Sequence, residues 1–108
     1  MIVVTLRIRV TPQNKGHAVQ VILPTLGPTR TEPGCVSCDL YQSTEDDMRL
    51  TVMEQWDSLA NLERHIRSDR YRKILAWLEM STEAPEIRFD TVSGSQGLEM
   101  IKTVRGRN

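Results

Sequence analysis

Three side chains in one short stretch have the types that proton chemistry needs: Glu54, Trp56 and His65. Glu54 and Trp56 fall in a run, Met48–Trp56, that alternates with Leu50 and Val52, so all four are predicted to share one face of a strand. A carboxylate on a core-facing side must be paired or hydrogen-bonded. His65 lies three residues after Leu62 and one before Ile66, at the border of a helical apolar stripe. There it can turn to solvent or into the space over the sheet, and a lone histidine at such a border is more often structural. A buried carboxylate nearby changes the balance, because it satisfies the imidazole and perturbs its pKa. Trp56 is then either core filler or the wall of a pocket. His17 reads as solvent-facing, and Trp77, with Met80 on the same side, as a flank residue.

Cys35 and Cys38 form a C-x-x-C. Redox enzymes place that motif at a helix N-terminus, where the thiol pKa is lowered. Here it opens a predicted strand, so the two thiols are expected on opposite faces, as plain buried or half-buried side chains. Zinc lacks its other two ligands in any recognisable spacing. The sequence contains no G-x-G-x-x-G, P-loop, H-E-x-x-H or G-x-S-x-G. Dinucleotide, ATP and zinc-hydrolase chemistry therefore have no motif to act through, and no metal site is expected.

The elements that must position these residues follow from periodicity. Ile2–Val10 alternates without a break and reads as a strand with one buried face. From Asn14 to Pro28 the residues Ala18, Val21, Ile22, Thr25 and Leu26 recur at helical spacing, with a kink or break expected at Pro24. Glu32-Pro33-Gly34 is a turn. Strands are predicted over Cys35–Gln42, with Val36, Cys38 and Leu40 on one face, and over Met48–Trp56. Asp57 or Ser58 then caps a helix carrying Leu59, Leu62 and Ile66. Ser68-Asp69 reads as a second cap, restarting a helix with Tyr71, Ile74, Leu75 and Leu78 on its inner stripe. Glu86–Ser93 is a fourth strand with Ile87 and Phe89 facing in, and Gln96–Val104 is compatible with strand or helix. The order βαββαβ is that of the ferredoxin-like α+β sandwich, an antiparallel sheet with both helices on one face.

The chain has 108 residues and equal charges, 14 Lys and Arg against 14 Asp and Glu. That length suits one core, and charge balance leaves no basic excess for nucleic acid or an anionic membrane. No apolar run approaches a bilayer span or a signal segment, so a cytoplasmic protein is expected. The sheet face away from the helices would carry Arg7, Arg9, Arg49 and Arg88 with Asp39 and Asp90. By composition it reads as a wet face slightly before a polar dimer interface, in which Asp39 would pair across the two subunits.

Two stretches resemble the antibiotic biosynthesis monooxygenase (ABM) family. Thr29-Arg30-Thr31-Glu32-Pro33-Gly34-Cys35, running into Leu40-Tyr41, is similar to its helix-to-strand joint. Glu54-Gln55-Trp56-Asp57-Ser58-Leu59, followed by Leu62, His65 and Ser68-Asp69-Arg70-Tyr71, is similar to its E-x-W…H-x-x-S-x-x-(F/Y) signature. The match covers residues 1–93 as one domain, with 94–108 as a tail. The resemblance implies a homodimeric α+β barrel built by packing two sheets face to face, with Leu98, Met100, Ile101 and Val104 of the tail reaching the partner. It also implies oxidation of a quinol or other small aromatic substrate by O2, without metal, flavin or haem. His65 would be the base, Glu54 its orienter, and Trp56 and Tyr71 aromatic walls. Leu75, Phe89 and Arg88 complete the expected substrate-binding set. One departure is Cys38, where many members carry tyrosine.

The haem-degrading branch of the fold would need an axial histidine where Leu75 stands. Two other classes stay open. One is a non-oxidative isomerase of a small phosphorylated signal, with Arg88 or Arg49 on the phosphate, and the other a dimeric small-molecule-binding protein without turnover. Because His65 borders its stripe, its removal is expected to cost little fold stability.

Overall fold

The computed structural model describes residues 1–107. Its elements are β1 (Ile2–Arg9), α1 (Pro12–Arg30), β2 (Cys35–Gln42), β3 (Arg49–Trp56), α2 (Leu59–Arg67), α3 (Tyr71–Glu79), β4 (Glu86–Thr91) and α4 (Leu98–Arg105). The four strands form one antiparallel sheet in the order β2-β3-β1-β4, the ferredoxin-like arrangement expected.

One sheet face carries the core. Val4, Leu6, Ile8, Leu50, Val52 and Trp56 are buried there against Ala18, Ile22 and Leu26 of α1, Leu62 of α2, and Tyr71, Ile74 and Trp77 of α3. Contacts run from α1 to β2, α2 to β3 and α3 to β1, and among the described residues no helix packs closely on β4. Ile87 and Phe89 do lie in register with Leu6 and Val4, on the helix side as expected. Both are nevertheless about half exposed, because they sit on the uncovered edge strand.

Several local expectations are corrected. α1 runs unbroken through Pro24 and Pro28. The Thr25 hydroxyl donates to the Ile22 carbonyl and the Thr31 hydroxyl to the Pro28 carbonyl, taking up acceptors in the turns around the two prolines. Ser58 is the cap of α2, its hydroxyl accepting from the Asn61 amide. Ser68 does not cap α3: its hydroxyl donates back to the His65 carbonyl at 2.6 Å, and the N-cap position of α3 is Arg70, which makes no side-chain cap. Leu59 and Ile66 point outward, whereas Trp77 is fully buried rather than on the flank.

A bulge at Val36 overturns the expected placement of the cysteines. Cys35 pairs with Trp56 and Ser37 with Gln55, so Val36 is the extra residue and is exposed. The slip puts Cys35, opposite Trp56, and Cys38, opposite Glu54, on the same helix-facing side. Asp39, expected across a dimer interface, is paired within its own chain to Arg30 at 3.1 Å.

The tail segment 92–97 leads to α4, which is helical and buries none of its residues. Asn108, the last residue of the expected 94–108 tail, lies outside the described residues. No described helix is long and apolar enough to cross a membrane.

Candidate active site

Strand alternation brings Glu54 and Trp56 to the covered face, and the capped helix α2 sets its last turn above them. The Trp56 indole N–H donates to Glu54 Oε1 at 2.8 Å. That bond satisfies two polar groups that would otherwise be buried at a cost of a few kcal/mol each, about 1–3. His65 follows Leu62 by one helical turn, and both are buried. The side chain expected at the border of the stripe is in fact only 1% exposed.

The imidazole is enclosed on every side. Its ring stacks on Trp56 with centroids 4.7 Å apart, and Tyr71 meets it edge-on at 5.2 Å. Nδ1 is 2.8 Å from Glu32 Oε2, and Nε2 is 3.6 Å from Glu54 Oε2. The first is a hydrogen bond. The second is an electrostatic contact too long for one, and Nε2 has no other partner. Arg70 Nη1 reaches the same Glu32 oxygen at 3.0 Å.

The electrostatics follow from this geometry. A neutral imidazole has a single N–H, so facing carboxylates at both nitrogens favours the doubly protonated ring. Burial pulls the His65 pKa down, but Glu54 and then Glu32 more than offset it, leaving it above the ordinary value. Burial, reinforced by the Glu54 carboxylate, pushes the Tyr71 hydroxyl up to about 12. The same two causes take Cys35 to about 11 and Cys38 to about 12, so neither is poised as a thiolate nucleophile. Together these groups can take up, hold and release a proton beside an aromatic wall.

Of the residues expected in the site, the fold gathers Glu54, Trp56, His65 and Tyr71. Leu75 and Phe89 stand outside the buried core that holds the rest. Arg72, Lys73 and Ala76 of α3 line a groove of about 450 Å³ with Gln20, Val21 and Pro24 of α1. Leu75 and Phe89 are each about half exposed. Arg88 is on the wrong face. It pairs in register with Thr5 and forms ion pairs with Glu86 and Asp90, because strand alternation opposes it to Phe89. Glu32 and Arg70 are functional candidates that residue-by-residue reading passed over. Both lie inside the resembling stretches, in the turn before β2 and just before Tyr71.

A family model described as antibiotic biosynthesis monooxygenase matches residues 1–77. The chain belongs to the ABM family. Among solved ABM-like folds, a conserved Methanosarcina mazei protein is 29% identical, with a TM-score of 0.76 over 82% of this chain and 89% of that one. A Mycobacterium tuberculosis protein is 24% identical, with a TM-score of 0.79 over 89% and 98%. A candidate antibiotic biosynthesis monooxygenase from Deinococcus radiodurans is 17% identical, with a TM-score of 0.81 over 91% and 98%, a likeness of fold alone. An uncharacterised protein of Synechocystis is 28% identical over 68% of this chain, and the match spans half of that relative's length.

Proposed function

We propose that this ABM protein oxidises a quinol or related electron-rich aromatic with O2, using no bound cofactor. The observation that carries the reading is the buried imidazole, placed between two carboxylates and two aromatic rings. A phenolic proton passes to the His65–Glu54 pair, and the resulting anion supplies electrons to O2 directly. One oxygen atom ends in a new ring carbonyl and the other leaves as water, which carries away the phenolic hydrogen and the one hydrogen of the ring carbon that is oxidised. The protein's part is to bind, deprotonate and exclude water.

Leu75, Ile87 and Phe89 are the half-exposed apolar side chains offered to a substrate ring. The uncapped start of α3 carries both Tyr71 and Arg70. Access to the imidazole is by a movement of that turn, which lifts the Tyr71 edge off His65. Arg88 and Arg49, the cations expected on a phosphate, stand on the other sheet face, away from His65; this favours the aromatic over the isomerase reading. The working unit is a homodimer packed through the open sheet face, where Tyr41 and Met53 are exposed, with the tail lying on the partner.

The test is oxygen consumption with a panel of naphthoquinols. Turnover is expected for the wild type, with a loss on the order of 10²–10⁴ in His65→Gln at equal folded fraction. Absence of turnover with every quinol would favour the binding-protein reading.

A further inference from the structure

The turn between α1 and β2 is built to aim one side chain. Glu32-Pro33-Gly34-Cys35 closes with the Cys35 amide donating to the Glu32 carbonyl at 3.1 Å. Proline stands second and glycine third with φ +85, the requirements of a type II turn. Gly34 has no space for a side chain: a Cβ there would collide with Asn61 Nδ2 and Asp57 Oδ1. The turn is thus pressed against the start of α2, and the Asp57 amide donates to the Gly34 carbonyl at 2.9 Å. A turn held this firmly fixes the direction in which its first residue, Glu32, leaves the backbone.

That direction is His65 Nδ1, at 2.8 Å. Glu54, by contrast, is engaged by the Trp56 indole and stands 3.6 Å from the other nitrogen. The two carboxylates therefore cannot have the same task. We infer that Glu32, rather than Glu54, is the positioning residue of the site: it holds the proton on Nδ1 and so leaves Nε2, on the Glu54 side, as the accepting nitrogen. This rests on the proton-transfer reading above. A substrate proton goes to Nε2, the imidazolium that results is stabilised by Glu32, and Glu32 itself takes no proton, the division of labour that an aspartate has in a serine-hydrolase triad. Arg70 Nη1 shares that Glu32 oxygen with Nδ1 and helps to hold the carboxylate in place. The remaining ionisable groups around the ring are Glu54 from β3, Tyr71 from α3, and Cys35 and Cys38 from β2.

Nitrogen-15 NMR of His65 and the pH profile of quinol oxidation test the assignment together. In the wild type, the neutral ring is expected as the Nδ1–H tautomer. Glu32→Gln should lower the His65 pKa, mix the tautomers, move the acid limb of kcat to lower pH and reduce kcat on the order of 10²-fold or more. Glu54→Gln should keep the Nδ1–H tautomer. Should Glu32→Gln fold poorly, Arg70→Gln serves instead: it leaves the Glu32–His65 bond, removes the competing cation and should raise the His65 pKa. An unchanged tautomer and pH profile in Glu32→Gln, with only a lower Tm, would overturn the assignment, as would an unmoved His65 pKa in Arg70→Gln. If no quinol turns over, the NMR arm still decides the role of Glu32, separately from the oxidation reading.

Discussion

His65 has one side chain and two jobs, since it fills the core under α2 and bridges two carboxylates. Removing it leaves Glu54 and Glu32 facing each other across a hole, a change of the kind that costs about 3–5 kcal/mol when a buried charge loses its partner. His65→Ala is therefore expected to unfold at markedly lower temperature, contrary to the small effect that a border position implies. The pH dependence has a definite sign. A folded-state pKa raised above the unfolded one means that the native state holds the extra proton more tightly. The resulting stability is complete below about pH 6.5, the ordinary imidazole value, and is lost as pH rises through the folded-state value. Calorimetric scans across that window should show a fall in Tm in the wild type that is reduced in His65→Gln. Equal slopes in the two proteins would mean that the imidazole is neutral in the fold.

Among the elements, the turn after α1 matters more than its length suggests. It carries a positive φ at Gly34, faces the start of α2 without clearance and presents Glu32. Gly34→Ala combines backbone strain worth about 1–3 kcal/mol with a collision against Asn61 and Asp57. Its expected outcome is a lower Tm together with displaced His65 NMR signals, because the turn cannot relax without moving Glu32. Loss of stability with His65 unmoved would show that turn and site are uncoupled. The Val36 bulge is the second such device, and it brings Cys35 and Cys38 beside Trp56 and Glu54 by one inserted residue.

At the scale of the whole molecule, the monomer is larger than its core requires. Its radius of gyration is 16.1 Å, against roughly 13 Å for a compact chain of this length. α4 buries none of its residues, and its Leu98, Met100, Ile101 and Val104 are all exposed. Exposed apolar residues on both α4 and the open sheet face fit the proposed homodimer. Sedimentation at micromolar concentration should give about twice the 12.4 kDa chain mass. Met53→Lys, on the open face, should shift the equilibrium toward monomer without loss of fold, since Met53 contributes nothing to the core cluster. Monomeric wild type would remove the barrel.

Strand alternation in Ile2–Val10 and Met48–Trp56 was enough to place Glu54 and Trp56 on the covered face, because a period of two has only two outcomes. The same logic failed at Cys35–Cys38, where one bulged residue reverses the alternation and leaves no mark in local composition. Helical spacing put His65 beside its stripe, and only the packing of α2 over β3 decided that it is buried. It could not show that no described helix packs closely on β4, so Ile87 and Phe89 face the core side yet meet solvent. Alternation also put Arg88 on the open face, opposed to Ile87 and Phe89, and its register with Thr5 bears that out. The choice between Glu32 and Glu54 as the partner of Nδ1 belonged to tertiary structure alone. The residues are 33 and 11 positions from His65 in the sequence, and their 2.8 and 3.6 Å separations arise only when turn, strand and helix meet.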